Sequence, residues 1–236
     1  PHGFIGGGTG NQVFTNTGFF TPSSAILAGD DNVVSNAGQA AIVAGQRNRL
    51  ASGASDSAIL SGNNNRIEGL SIANNWIGGG RLNSILGLGS FNAIASGDSN
   101  TIVDAVNAFI AGGRNHTILD GAFSVIIGGD RNSISNAPGD FNNAIVGGSD
   151  NVVAAEVDSA IVGGGSNFIG TGAKQGFIGG GSGNRIETSV AGGVAFGGAN
   201  RVGANHSMVA GNFARAMHIN TFVWNGGTAV FTSTAP

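Results

Sequence analysis

The string GGGTGN at residues 6–11 recurs as GGGSGN at 179–184, and glycine-rich strings of this kind can bind phosphate or calcium. A phosphate-binding loop needs one glycine-rich turn between a strand and a helix, whereas these glycines recur along the chain with no helical pattern after them. A calcium-binding β-roll repeat needs an aspartate in the place that Asn11 and Asn184 occupy here. We therefore expect no nucleotide, no metal and no other cofactor.

The charged and titratable residues form no evident catalytic set. Aspartates and arginines alternate at equivalent predicted turns, which is typical of a solvated edge, with calcium held by the aspartates as the alternative: Asp30, Asp31, Asp98, Asp130 and Asp150 with Arg47, Arg81, Arg114 and Arg131. His116 and His206 each follow an asparagine, which predicts exposed turn positions. Two carboxylate pairs are expected to be solvated in loops: Asp56 with Glu68, and Glu156 with Asp158. We expect no enzymatic activity.

The composition indicates a folded chain with a substantial core. Glycine accounts for 44 of the 236 residues, yet 41% of the residues are hydrophobic and 10% are charged. A net charge of −3 with scattered cations argues against nucleic acid as a partner. No run approaches the roughly 18 apolar residues that span a bilayer, so we expect no membrane insertion by this segment. The absence of cysteine excludes disulfides and is compatible with an extracellular protein.

The chain is an internal repeat of the form x-I-φ-small-G-x-x-N-x-I, where φ is an apolar residue. AILAGDDNVV at 25–34, AIVAGQRNRL at 41–50 and AIVGGSDNVV at 144–153 are three copies. The asparagine recurs about every 17 residues, which predicts about thirteen coils, and ILGLGSFNAI at 85–94 is a half-matching extra unit. The expected structural residues of the repeat are Asn32, Asn48, Asn65, Asn132, Asn151, Asn167 and Asn184, with Gly29, Gly45, Gly62, Gly129, Gly148 and Gly164; Asn11, Asn83, Asn100, Asn115 and Asn200 extend the asparagine row.

A period this short, rich in Ile, Val and Gly, favours an all-β parallel β-solenoid over a helical repeat. Each coil is predicted to contain two short strands, the first ending at the glycine and the second starting at the asparagine. Glycine at the corner permits a positive φ. Asparagine tolerates the left-handed region, and its amide can bond either local backbone or its copies in adjacent coils.

Side-chain alternation predicts an apolar surface on the first strand of each coil. The second repeat position, mostly Ile, fills the core, so the third position points to the opposite face. That face is predicted to be apolar at Leu27, Val43, Leu60, Ile110, Ile127, Val146, Val162 and Val209. Because a long apolar stripe on a monomer is an interaction site or an aggregation hazard, we expect it to pack on copies of itself, most simply as a homotrimer. The alternative is that polar loops of the same chain fold over it.

The repeats resemble the heads of trimeric autotransporter adhesins, the YadA-like left-handed parallel β-roll repeats that also occur in bacterial surface and phage fibre proteins. SAIVGG at 159–164, VAFGG at 194–198 and SMVAG at 207–211 carry the resemblance, as does the closing AGNFARAMHINTFVW at 210–224. The resemblance implies a left-handed homotrimer on a cell or virion surface that acts in adhesion. It covers about residues 4–224, and the family's typical coil is shorter than this one.

The two ends depart from the repeat, which suggests a cap with the first coil at 1–24, repeats at 25–216, and a strand or hairpin segment at 217–236. Exposed strand edges must be capped or docked. The aromatic residues expected to cap or dock are Phe14, Phe19, Phe20, Phe222, Trp224 and Phe231. The expected function is an extracellular adhesive or structural fibre module whose variable loops attach to a host, matrix or glycan surface. The alternatives are a self-assembling filament subunit and a phage tail-fibre receptor-binding segment.

Overall fold

The computed structural model describes residues 3–14, 23–70, 72–135 and 141–234. In these ranges every regular element is a β-strand and no helix occurs. The chain is an all-β parallel β-solenoid of about thirteen turns, as the repeat predicts. Two compact units are present, Pro1–His116 and Thr117–Pro236. The left-handed winding and the homotrimer stay predictions.

In the first unit the odd-numbered and even-numbered strands form two separate parallel sheets, and strands neighbouring in each sheet belong to successive coils. We call these the odd-strand sheet and the even-strand sheet. The odd-strand sheet contains β1 (Phe4–Ile5), β3 (Ala25–Ile26), β5 (Ala41–Ile42), β7 (Ala58–Ile59), β9 (Trp76–Ile77), β11 (Ala93–Ile94) and β13 (Phe109–Ile110). The even-strand sheet contains β2 (Gln12–Phe14), β4 (Val33–Ser35), β6 (Arg49–Ala51), β8 (Arg66–Glu68), β10 (Ser84–Leu86) and β12 (Thr101–Val103).

The second unit repeats this arrangement with the same parallel pairing. Its odd-strand sheet contains β15 (Val125–Ile126), β17 (Ala144–Ile145), β19 (Ala160–Ile161), β21 (Phe177–Ser182), β23 (Val194–Gly198), β25 (Met208–Asn212) and β27 (Phe222–Asn225). Its even-strand sheet contains β14 (Thr117–Leu119), β16 (Ser133–Ser135), β18 (Val152–Val153), β20 (Phe168–Ile169), β22 (Arg185–Ile186), β24 (Arg201–Val202), β26 (Ala214–Ala216) and β28 (Phe231–Thr232).

The core of each unit is built from one inward side chain per strand. Ile42 of β5 faces the interior from the odd-strand sheet and Leu50 of β6 from the even-strand sheet, and both are fully buried. In-register pairing repeats this from one coil to the next in the interior of the stack, so Ile42 aligns with Ile59 and Leu50 with Ile67. Full burial of one such side chain contributes about 1.5–3 kcal/mol to the free energy of folding, so the aligned rows supply most of the hydrophobic stabilisation.

The corner glycines require both a positive φ and the absence of a side chain. In the six glycines predicted for this role φ lies between 87° and 107°, which confirms the prediction. A Cβ placed on Gly45 would lie 2.3 Å from the carbonyl oxygen of Gly62 in the next coil. Backbones of successive coils therefore meet here at a distance that only glycine permits.

The asparagine row links each coil to the next. Asn32 donates from Nδ2 to the carbonyl oxygen of Gly45, at 2.8 Å, and its Oδ1 accepts from the backbone N–H of Asn48, at 3.0 Å. Its Nδ2 also reaches the local carbonyl of Ala28, at 3.4 Å. Both predicted roles of the amide therefore occur together. The left-handed conformation belongs to the preceding residue, as in Asp31 with φ 53°, and not to the asparagine of the repeat.

The predicted asparagine row requires a correction at position 116. His116, not Asn115, is the buried residue at this position, and its backbone N–H donates to Oδ1 of Asn100 at 3.0 Å. Asn115 is the left-handed residue before it, with φ 56°. The expectation that His116 is exposed was therefore wrong, because counting the row from Asn115 placed the corner one residue early.

The predicted register is also wrong by one residue in three coils. Ile94 aligns with Ile110, and Ala195 aligns with Val209, so Ile110, Ala195 and Val209 fill the core. Phe109, Val194 and Met208 take the first, outward position instead. In the last two of these coils the corner is one residue shorter, with a register shift between Ile178 and Gly181, so counting back from the asparagine gives the wrong face.

Two further predictions about the repeat require correction. The string at 85–94 is no coil of its own, because Ile85 belongs to β10 and Ile94 to β11 in the other sheet. The strands near the C-terminus form no hairpin, because β27 pairs with β25 and β28 with β26, each in parallel. The Asn-Gly-Gly string at 225–227, taken by itself, indicates a hairpin turn. Here, however, each of the two strands pairs with the edge of a different sheet.

Candidate functional site

The exposed apolar surface predicted for the first strands is present in both units. We call it the outer row: Leu27, Val43, Leu60, Ile127, Val146 and Val162. These side chains follow directly after short strands whose last residue is in the core, so alternation turns them outward. Each is 37% to 47% exposed. The described part of the chain therefore leaves the row open to solvent, and no described loop folds over it as the single-chain alternative required.

Ile110 and Val209 do not belong to this surface, although both were predicted there. They are completely buried, and the equivalent outward residues are Ala111 and Ala210. The row is therefore interrupted by small residues at some coils. Gly78 and Gly179 are two more such positions.

Residues at the first strand position line the same surface and are also apolar. Six of the fourteen are alanine, and the larger ones include Trp76 and Phe177. The ring of Phe177 meets that of Phe196 in an edge-on arrangement with centroids 5.8 Å apart. Both outward positions of this sheet are therefore apolar, and the described odd-numbered strands of each unit contain no charged residue.

The charged corner consists of ion pairs between successive coils. Arg81 lies 2.6 Å from Asp98, and Arg131 contacts Asp150 through two nitrogens at 2.7 and 2.9 Å. Arg47 lies 4.0 Å from Asp31. The alternation read from the sequence therefore places opposite charges side by side, which favours the in-register stacking of coils.

These contacts give the corner a dependence on pH. The hydrogen bond from Arg131 lowers the pKa of the Asp150 carboxyl, and hydrogen bonds from Arg81 and then Ser99 lower that of Asp98. A carboxyl with a lowered folded-state pKa stabilises the fold above its unfolded pKa, and this contribution is lost as the pH falls through the folded pKa.

We therefore expect Asp150→Asn to lower the unfolding midpoint slightly near neutral pH and to make no difference in strong acid. Denaturant titrations of both proteins between about pH 6 and about pH 2 would measure this, since the unfolded carboxyl titrates near 4. Asp56→Asn, at an exposed carboxylate without an ion pair in the described ranges, is the control. A difference for Asp150→Asn that persists in acid would contradict the assignment.

The remaining titratable candidates do not assemble into a site. Glu68 contacts Arg66 and Arg49 rather than Asp56, and Glu156 contacts Lys174 at 2.9 Å. His206 is exposed, with φ 52°. Within the described ranges, no three His, Cys, Asp or Glu side chains meet as a group that could hold a metal ion.

The aromatic residues at the two ends of the chain are exposed on edge strands. Phe14 lies on β2, at one edge of its sheet, and Phe222, Trp224 and Phe231 lie on β27 and β28, at the opposite edges of theirs. Phe19 and Phe20 lie outside the described residues. The assignment of these segments as caps or docking sites stays a prediction.

Two features of the structure, one buried and one exposed, were missed by the sequence analysis. One is a second row of small polar side chains before the first strands, where Asn92 accepts from the N–H of Ala108 and donates to the carbonyl of Ala105. The other is a line of arginines on the even-strand sheet of the second unit. The strings NRIE at 65–68 and 184–187 were the available signal.

No protein-family model matches this chain, and no curated protein does either. In the part of the chain that the structure describes, no helix is long and apolar enough to cross a bilayer. The surface itself therefore provides the argument for function.

Proposed function

We propose that this chain is a non-enzymatic module that assembles as a homotrimer through the outer row. The assembly would serve as an extracellular adhesive or structural fibre segment. The observation that carries the proposal is the exposure of Leu27, Val43 and Leu60 in one unit and of Ile127, Val146 and Val162 in the other. Large side chains repeated along one face are an association surface when they stay open to water.

Cyclic symmetry suits this surface because it brings equal coils of parallel chains to the same level. Identical residues then meet across the axis, and the small residues at Gly78, Ala95 and Ala111 allow close approach of the backbones. The number three comes from the resemblance to the trimeric adhesin heads. The final coils are closer to the shorter coil that is typical of this family. Val194 aligns with Met208 and Met208 with Phe222, so each of these coils has 14 residues (208 − 194 and 222 − 208).

The mass of the purified protein in solution tests the proposal. Light scattering should give three times the 23.2 kDa of one chain over a wide range of concentrations. A stable single chain would overturn it, because the outer row would then have no partner.

A charged outer row should abolish the assembly. We expect Val146→Lys combined with Val162→Glu to yield single chains, because each interface would bury added charges at a cost of several kcal/mol. Association should weaken by at least about a hundredfold. The two positions belong to neighbouring coils, so the opposite charges attract each other within the chain.

The matched control is Ser133→Lys with Val152→Glu, which puts the same charges on neighbouring strands of the even-strand sheet. This variant should keep the mass of the wild type. Circular dichroism should show the same strand content for all three proteins. Equal loss of the trimer in both variants would contradict the assignment of the interface to the outer row.

A second candidate function is a filament subunit, favoured by the exposed aromatic side chains on edge strands. Phe4 of β1 and Trp224 of β27 are both more than half exposed, and among the described strands each edge strand has a pairing partner on one side only. Negative-stain imaging at rising concentration separates the two candidates. Open-ended filaments would favour this one, and discrete particles the first.

A further inference from the structure

The outward face of the even-strand sheet in the second unit carries arginine on three consecutive strands. Arg185 of β22 aligns with Arg201 of β24, and Arg201 aligns with Arg215 of β26. The next residues, Ile186, Val202 and Ala216, are buried, so alternation turns the arginines to solvent. We call these three residues the arginine row.

The arginine row is only partly neutralised. Glu187 lies 2.9 Å from Arg185 and 2.6 Å from Arg201, so one carboxylate serves two guanidinium groups. Two residues after Arg215, where a glutamate would lie in the pattern of β22, the chain has Met217. No ion pair of Arg215 occurs in the ranges that the structure describes. Three positive charges therefore face one negative charge.

Stacking like charges in register costs stability unless something else compensates. Strands in a sheet lie about 4.8 Å apart, and like charges directly opposite each other repel. This chain has nine arginines and a net charge of −3, yet three of the nine stand on adjacent strands. Composition alone does not account for such a concentration of cations on one face.

The first unit offers an internal comparison. Arg49 and Arg66 align there, and both contact Glu68, at 3.5 and 2.6 Å. The flanking strands carry Val33 and Ser84 at the same position, so no third arginine follows. Arg215 is thus the residue that distinguishes the second cluster.

We propose that the arginine row binds a linear acidic polysaccharide through its carboxylate or sulfate groups. Guanidinium groups bind such anions through paired hydrogen bonds, and their fixed spacing along the sheet suits a ligand whose charges also repeat. Phe168 extends the face by one strand, and its ring centroid lies 4.4 Å from the Arg185 guanidinium carbon. The ring orients Arg185 and adds an apolar surface for the C–H groups of a sugar.

Other anionic partners fit this surface less well. A nucleic acid is recognised through a wide positive field, which a chain of net charge −3 lacks. A second copy is assigned to the outer row on the other sheet. The inference rests on the proposed attachment function, for which it names a ligand class, but the row lies within one unit and does not need the trimer.

The test measures binding of the full chain to heparin and polygalacturonate oligosaccharides, with neutral dextran and a DNA oligonucleotide as comparison probes. The wild type should bind both acidic glycans with an affinity that falls as salt rises. Arg215→Gln should weaken binding by about tenfold, the loss expected for one charge-assisted contact. Arg47→Gln, an equal change of charge at an exposed corner of the other unit, should bind as the wild type does.

Each other outcome overturns the proposal. If the wild type binds neither acidic glycan, the proposal is wrong. Equal losses of affinity in both variants would mean that net charge, and not the arginine row, determines binding. If the DNA oligonucleotide binds at least as tightly as the acidic glycans, the ligand of the arginine row is a nucleic acid instead. Light scattering on the same samples separates this question from the trimer: a changed mass in Arg215→Gln would make the row a subunit interface instead.

Discussion

Gly148→Ala is expected to destabilise the protein by at least about 3 kcal/mol, because the new side chain meets two obstacles at once. Gly148 has φ 87°, a left-handed conformation that costs an L-residue about 1–2 kcal/mol. Its Cβ would also lie 2.0 Å from the carbonyl oxygen of Gly164 in the next coil. The coils would have to separate at this corner, which also carries the asparagine row.

Gly147→Ala is the matched control, one residue away. Gly147 has no positive φ, and a Cβ there would approach nothing closer than the Gly128 carbonyl oxygen at 4.0 Å. This variant should equal or exceed the wild type in stability by up to about 1 kcal/mol, because alanine restricts the unfolded chain. Urea unfolding of both variants gives the comparison, and similar losses would show that the corner tolerates side chains.

Asn151→Ala is expected to cost about 1–3 kcal/mol, because it leaves a buried N–H without an acceptor. The Oδ1 of Asn151 accepts from the backbone N–H of Asn167 at 3.1 Å and from its Nδ2 at 3.0 Å. The Nδ2 of Asn151 donates to the carbonyl of Gly164, at 3.1 Å. Removing the amide therefore breaks the link between two coils in the interior.

Asn212→Ala is the control for this variant, since Asn212 is exposed at the end of β25. Its stability should stay within about 0.5 kcal/mol of the wild type. Thermal unfolding monitored by circular dichroism compares the two. An Asn151→Ala protein as stable as Asn212→Ala would mean that water replaces the amide, which its complete burial argues against.

These two positions matter for the proposed function because they hold the coils in register. The outer row and the arginine row are both lines of side chains from successive coils, so each depends on the stacking that Gly148 and Asn151 maintain. A slip of one residue would turn every outward side chain inward. Stability at the corner and the continuity of the binding surfaces therefore have one physical origin.

Much of the architecture followed from local rules. The period and the Ile, Val and Gly content predicted a parallel β-solenoid, and the glycine before each asparagine marked a corner with positive φ. The outer row was also predictable at Leu27, Val43 and Val146, because alternation along a strand is strict. The same rule failed at Ile110 and Val209, where the corner residues used for counting had shifted.

The sequence by itself determined the repeat, the strands and the apolar character of the odd-strand sheet, since each depends on residues close together in the chain. Only the tertiary structure decided which of two adjacent apolar residues enters the core, because a corner shortened by one residue reverses the face. It alone aligned Arg185, Arg201 and Arg215, which are 16 and 14 residues apart (201 − 185 and 215 − 201). The tertiary structure also decided that β27 and β28 belong to separate sheets. Each pairs with the edge of a different sheet, β27 with β25 and β28 with β26, where backbone hydrogen-bonding groups are available.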